Sequence, residues 1–249
     1  MSAGITPEPG FSAARLARLA EIERWHFWFA GRRALVHRLL RKYLSAPKTV
    51  LDIGCGTGCM LDELAQQGYR MAGLDLRPEG LHATHRRLPQ IILFQAQAGC
   101  LPLAENSFDG VILLDVMEHA DDVSILREAG NILKPGGIAV LTVPALPWLW
   151  SYRDRAAGHL RRYTRKDLRR LLLNSGFEIQ EIHYYQCLLL PVVVLTRLLG
   201  RHDPALRDME EQPLPLLNTL LLWINRFEVS LGRVVPWPWG STLVAVCKK

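Results

Sequence analysis

The chain has 249 residues, 49% of them hydrophobic and 22% charged, enough for one large α/β domain with additions. Its net charge of +6 comes with paired bases at Arg32-Arg33, Arg86-Arg87, Arg161-Arg162, Arg165-Lys166 and Arg169-Arg170. Such pairs suit phosphate, carboxylate or an anionic membrane surface, and equally a solvated helix face. The five cysteines, at 55, 59, 100, 187 and 247, are odd in number and scattered, which excludes a disulfide framework and a zinc-ligand pattern.

Residues 1–10 are rich in Pro and Gly and read as a loose lead-in. A helical pattern runs from Ser12 to about Trp25, with Leu16, Leu19, Ile22 and Glu23 close on one side, and a second from Phe27 to about Leu44. Arg15, Arg18, Glu21, Glu23 and Arg24 interrupt the first apolar block, so no signal peptide is expected and the chain reads as cytoplasmic. The aromatic knot Trp25-His26-Phe27-Trp28-Phe29 joins the two helices and is followed by Gly31-Arg32-Arg33; Pro47 closes this prelude. Strands are then expected at 49–55, 70–76, 91–96, 109–115 and 137–143, with helices at 59–67, 79–87 and 122–133 between them. This alternation predicts a parallel sheet covered on both faces. A helix at 166–175 leads to a sixth strand at 177–185, and 241–247 forms the last.

The first strand ends in Val50-Leu51-Asp52-Ile53-Gly54-Cys55-Gly56-Thr57-Gly58. Three glycines in five residues permit positive φ and close approach to the backbone, and a strand–glycine–helix layout is that of a nucleotide-binding turn. The second strand ends in Asp75, at about the separation where a carboxylate meets the ribose hydroxyls of a cofactor held over that turn. Three further runs follow in order: Leu101-Pro102-Leu103-Ala104-Glu105-Asn106-Ser107-Phe108-Asp109, then Gly110 through His119, then Leu133-Lys134-Pro135-Gly136-Gly137.

Together these motifs, from LDIGCGTG onward, resemble the class I S-adenosylmethionine-dependent methyltransferases, over about 49–186 and the last strand at 241–249. The resemblance implies a Rossmann-like, seven-stranded, mostly parallel sheet with helices on both faces, the last strand antiparallel beside the sixth. It implies S-adenosylmethionine as cofactor, with Asp52, Gly54, Cys55, Gly56 and Gly58 forming the cofactor turn and Asp75 with Leu76 at the ribose. Gln97 and Ala98 stand near the adenine, and Asp115 closes the cofactor set. Members of the family often carry an acid where Gln97 stands; a glutamine carbonyl accepts the same hydrogen bond without charge.

Four segments follow: a helical lid at 1–46, the cofactor-binding core at 47–186, an apolar helical insertion at 187–240 and the final core strand at 241–249. In the insertion, runs such as 188–195 and 214–224 fall short of a membrane span. They read as a cap on the core or against another subunit, as a lid over an apolar substrate, or as a peripheral membrane contact to which Val235-Pro236-Trp237-Pro238-Trp239 adds interface aromatics.

Methyl transfer from a sulfonium needs chiefly alignment and exclusion of water, with a base where the acceptor is a protonated oxygen or nitrogen. His119 and His159 are the candidate bases. Asp115, Glu118 and His119 also match the acid-x-x-Glu-His set that holds a divalent ion in the similar ubiquinone-biosynthesis O-methyltransferases, although the expectation here is no metal. Arg161, Arg162 and Tyr163 suit an acidic acceptor, as do Trp28, Arg32 and Arg33 in a lid. The expected acceptor is small or lipid-linked, methylated at oxygen, anionic and amphiphilic. Nucleic acid is the alternative substrate, but no RNA-binding module or Asn/Asp-Pro-Pro-Tyr-type motif is present. A non-catalytic cofactor-binding regulator is the other alternative, against which the intact glycine turn and Asp75 argue. The sequence leaves the oligomeric state open.

Overall fold

The computed structural model describes residues 13–199, 212–232 and 237–249. The loose lead-in at 1–10, the Leu19 side chain, the charges at 201–211 and Val235-Pro236 lie outside the described residues.

Seven strands form one sheet in the order β3-β2-β1-β4-β5-β7-β6. They are β1 (Thr49–Ile53), β2 (Arg70–Asp75), β3 (Ile92–Gln95), β4 (Phe108–Leu114), β5 (Leu133–Pro144), β6 (Glu178–Tyr185) and β7 (Thr242–Lys248). The first five run parallel, and β7 inserts antiparallel between β5 and β6. The alternation read from sequence therefore yields the expected sheet, with boundaries shifted by a few residues. The largest shift is in β5, which begins at Leu133 because the Lys134–Gly137 turn stays within the strand.

The helices are α1 (Ala13–Ile22), α2 (Phe27–Tyr43), α3 (Cys59–Gln66), α4 (Pro78–Arg87), α5 (Asp122–Ile132), α6 (Tyr152–Ala157), α7 (Arg165–Asn174), α8 (Leu190–Leu199) and α9 (Pro215–Leu231). Successive strand residues point to opposite faces, and each face has its own core. Leu51, Ile53, Val111, Leu113, Ala139 and Leu141 pack with α5 and α7. Val50, Ile112, Val140, Val244 and Val246 pack with α2, α3, α4 and Val229 of α9. Central strands buried on both sides explain the near-continuous apolar runs in the sequence. Leaving β1, the chain crosses to β2 on one side and returns to β4 on the other, so a crevice opens at the carboxyl ends of β1 and β4.

Helix α2 starts where the His26 side chain accepts from the Trp28 N–H. Its apolar stripe of Leu35, Val36, Leu39 and Leu40 lies on the sheet, while its amino-terminal turns reach over the crevice. Asn218 and Asn225 of α9 bind the backbone at Trp25 and Phe27, so the insertion holds the start of α2. Phe27 packs there with Leu189 and Leu221.

Candidate active site

The turn after β1 is built on backbone geometry that only glycine adopts freely. Gly54, Gly56 and Gly58 have φ of +76°, +54° and +80°. The N–H groups of Gly54 and Cys55 both donate to the Leu74 carbonyl, at 2.7 and 3.0 Å, locking the turn to β2. A Cβ on Gly58 would lie 2.6 Å from Thr84, whereas one on Gly56 would meet nothing within 4 Å. The space over Gly56 is open.

Asp75 faces this turn. One carboxylate oxygen accepts from the Gly56 N–H and the other from the Arg77 N–H, each at 2.8 Å. A carboxylate has about four acceptor sites, so two remain. Beside it Leu76 is half exposed, and Gln97 and Ala98 follow β3 in a loop tied to β2 by the Ala96 N–H on the Asp75 carbonyl. Leu76, Gln97 and Ala98 thus stand at the same sheet end as Asp75.

A small cleft adjoins the turn, lined among others by Phe29, Arg32, Asp52, Gly54, Cys55 and Leu114. Asp52 is buried, and that burial, reinforced by the Asp75 charge, raises its carboxyl from 3.8 to about 7. Burial likewise pushes the Cys55 thiol well up, so Cys55 contributes its backbone and a small apolar side chain. Arg32 crosses the cleft to pair with Asp115, whose other oxygen accepts from the Thr142 hydroxyl at 2.9 Å. The Arg32 Nε is buried and has no partner within the protein. Asp115 itself sits at φ +55°, a strained setting that turns its carboxylate back over β4 and β5.

Beyond Asp115 a short 3-10 turn, Met117–His119, carries Glu118 and His119. The loop after α6 brings His159 against them: the His119 and His159 rings meet edge to face with centroids 4.9 Å apart. His159 lies between two acids of opposite character. Its Nδ1 is 3.1 Å from Asp154, and its Nε2 is 3.8 Å from Glu118. Hydrogen bonding from His159 and the charges of Arg162 and Arg197 overcome the effect of burial on Asp154 and hold its carboxyl well below the usual range. Glu118 is fully buried, both its oxygens lack hydrogen-bond partners, and burial pushes its carboxyl well up.

Ligand atoms of Glu118, His119 and His159 all lie within 4.8 Å of one another, so these three could hold a divalent cation. The set differs from the one the motif suggested. Asp115 is committed to Arg32 and Thr142, and His159 takes its place.

Four side chains expected to meet the acceptor are engaged within the protein instead. Arg33 binds Glu63 and the carbonyls of Glu23 and Arg24, clamping α1, α2 and α3 together. Arg161 pairs with Asp122 at 2.8 Å, and the buried Tyr163 hydroxyl donates to the same carboxylate. Arg162 binds Asp154 and the Ala145 carbonyl. Trp28 packs against the cluster of Phe27, Leu189 and Leu221, and its neighbour Phe29 is the aromatic that lines the cleft. Sequence reasoning placed Phe29 in the aromatic lid beside Trp28 and did not single out Asp154. One helical turn separates Phe29 from Arg32, a signal that both look the same way.

A family described as a methyltransferase domain matches residues 24–182, more than half of the chain. The chain belongs to the class I S-adenosylmethionine-dependent methyltransferases. It is 28% identical over 159 residues to a Mycolicibacterium smegmatis protein named "Probable S-adenosylmethionine-dependent methyltransferase", covering 63% of this chain and 61% of that one. A ubiquinone biosynthesis O-methyltransferase of Albidiferax ferrireducens is 33% identical over 99 residues, 37% of this chain and 39% of that one. The chain spans about half to two thirds of the length of the first curated relatives it matches. Among solved structures, a Haloferax volcanii methyltransferase complexed with the Trm112 activator shares the fold at a TM-score of 0.66, with 22% identity over 98% of this chain and 99% of that one. A Haemonchus contortus phosphoethanolamine N-methyltransferase bound to S-adenosylmethionine also gives 0.66, at 16% identity over 96% of this methyltransferase and 57% of that chain.

Proposed function

We propose that this methyltransferase moves a methyl group from S-adenosylmethionine to an oxygen of a small or lipid-linked acceptor with anionic and amphiphilic character. The observation that carries the reading is the open glycine turn faced by Asp75, beside a cleft where a buried acid and an unsatisfied guanidinium nitrogen stand together.

Those features fit the cofactor. Asp75 has acceptor sites left for two vicinal hydroxyls. Asp52 suits an α-ammonium group, which would draw its proton off, and the Arg32 Nε suits an α-carboxylate. Leu76, Gln97 and Ala98 would border the adenine, and Asp115 would fix the Arg32 fork. The cofactor supplies an electrophilic methyl; the protein's part is alignment and exclusion of water, for which α2 is the roof.

His159 is assigned as the base, with His119 packed on its ring. Asp154 would keep a proton on Nδ1 and leave Nε2 free to accept one from the acceptor hydroxyl, as the third group of a catalytic triad does. Phe29 at the cleft suits an acceptor with an apolar body. The apolar insertion supports presentation of that acceptor at a membrane face.

The test is calorimetric titration with S-adenosylmethionine and S-adenosylhomocysteine, followed by an acceptor screen read as S-adenosylhomocysteine formation. Micromolar binding by the wild type, lost at least tenfold in Asp75→Ala, and turnover with an anionic amphiphile are expected. Binding without turnover on any acceptor would turn the reading toward a regulatory cofactor sensor.

A further inference from the structure

Helix α9 is built inside out. Its polar residues face the protein: Asn218 accepts from the Phe27 N–H and donates to the Trp25 carbonyl, both at 2.8 Å. Asn225 donates to the Phe27 carbonyl at 3.0 Å, and Glu228 accepts from the N–H groups of Cys187 and Leu188 at 2.9 Å. All three are buried. The opposite stripe is apolar and bare: Leu216, Leu220, Trp223 and Phe227 are 87, 57, 67 and 59% exposed. Their spacing of four, three and four residues puts them on one line. On α8, Leu195 and Leu198 are likewise exposed.

We propose that this outward face of α8 and α9 seats the protein on the surface of an anionic lipid bilayer. The proposal rests on the reading of a lipid-linked or amphiphilic acceptor and names where that acceptor is met.

Charge and hydrogen bonding choose the bilayer over a protein partner. The two helices carry three charged residues; Arg197 and Glu228 turn inward, and Arg226, beside Trp223 and Phe227, is exposed. The acid is hidden and the base displayed, which suits anionic headgroups. A protein interface carries about one hydrogen bond per 100–200 Å². Here the side-chain hydroxyls of Thr196 and Thr219 donate to the Val193 and Pro215 carbonyls of their own helices, so their protons are already taken. Trp223 with Arg226 is the aromatic–basic pairing of a membrane boundary. No helix among the described residues is long and apolar enough to cross a membrane, so the helices would lie along it.

The inward side of the same helices holds the site. Asn218 and Asn225 fix the start of α2, which brings Phe29 and Arg32 to the cleft, and Arg197 of α8 binds Asp154, the partner of His159. A surface seated on lipid through α8 and α9 therefore lies directly behind the roof and the base.

The full chain is spun with vesicles of phosphatidylglycerol and phosphatidylcholine and with vesicles of phosphatidylcholine alone. Wild type is expected to sediment with the anionic vesicles. Leu216→Glu/Trp223→Glu should lower that partition at least tenfold with cofactor affinity within twofold, and Arg226→Glu should narrow the preference for anionic lipid. Wild-type protein that binds cofactor but stays in the supernatant overturns the seat. So does a wild-type dimer in solution that the double variant converts to monomer, since the stripe would then be a subunit interface. Vesicle binding without cofactor binding supports the seat and removes the methyltransfer reading.

Discussion

Asp52 is a buried carboxyl whose protonation is tied to the stability of the fold. Its folded value, about 7, lies above the ordinary 3.8, so the folded state binds more protons than the unfolded one between those values. This contribution to stability is therefore greatest below about pH 4, declines as pH rises to about 7 and is level above. Asp52→Asn should remove that decline and stabilise the protein at pH 8 by on the order of 2 kcal/mol. It should also weaken S-adenosylmethionine binding at least tenfold, because a neutral amide gives an ammonium group less. Urea unfolding at pH 5 and pH 8, beside calorimetry, checks both halves; a variant less stable at pH 8 would remove Asp52's charge as a cost of the fold. The glycine turn was legible because it is one contiguous run whose glycines are required by positive φ. The direction of Arg32 was not, since Arg32 and Arg33 are adjacent in sequence and diverge only in space. Arg32 crosses to Asp115, while Arg33 drops onto Glu63.

The segment between β5 and α7 is where sequence reasoning saw least of the element. It marked His159 as a residue at the sheet's carboxyl end, yet it did not foresee α6. That helix starts on a reciprocal Ser151–Asp154 capping box, a serine followed three residues later by an acid. Asp154 is more than a cap. It joins its own helix to Arg162 at 2.7 Å, to Arg197 of α8 at 3.2 Å and to His159, partners spread over more than forty residues. Tertiary contacts of that span leave no period in a sequence. Removing the carboxylate strands two largely buried guanidinium groups, and breaking such a pair costs about 3–5 kcal/mol. Asp154→Ala is thus expected to lower the urea midpoint at neutral pH with little change in slope. Its folded carboxyl lies below the ordinary value, so its stabilisation is present above about pH 4 and lost as pH falls through the folded value; the variant should be less sensitive to acid. In the proposed reaction Asp154→Asn should lower kcat and shift its pH profile while leaving cofactor affinity close to wild type. An unchanged profile would confine Asp154 to structure.

At the scale of the molecule, the sheet was legible because its central strands are apolar on both faces and alternate with helices, a pattern with few solutions. The attachment of lid to insertion was not, because it depends on residues nearly two hundred positions apart. Asn225 meets Phe27, and Gly31 lets α2 and α9 close on each other: a Cβ there would lie 2.6 Å from the Tyr185 hydroxyl and 2.8 Å from the Asn225 amide. Gly31 is therefore the point at which the roof can be separated from its support without touching the glycine turn. Gly31→Val should force α9 off α2 at a cost of about 1–3 kcal/mol, the usual range for overpacking. Most of that loss should appear as local opening. Amide exchange is expected to rise in α2 and α9 while β1, β4 and β5 stay protected, and S-adenosylmethionine affinity should drop about tenfold because α2 roofs the cleft. Exchange rising equally through the central strands would mean that lid, insertion and sheet unfold as one unit. Unchanged affinity with exchange raised only in α2 and α9 would show that the cofactor is held by the glycine turn and Asp75 without the roof.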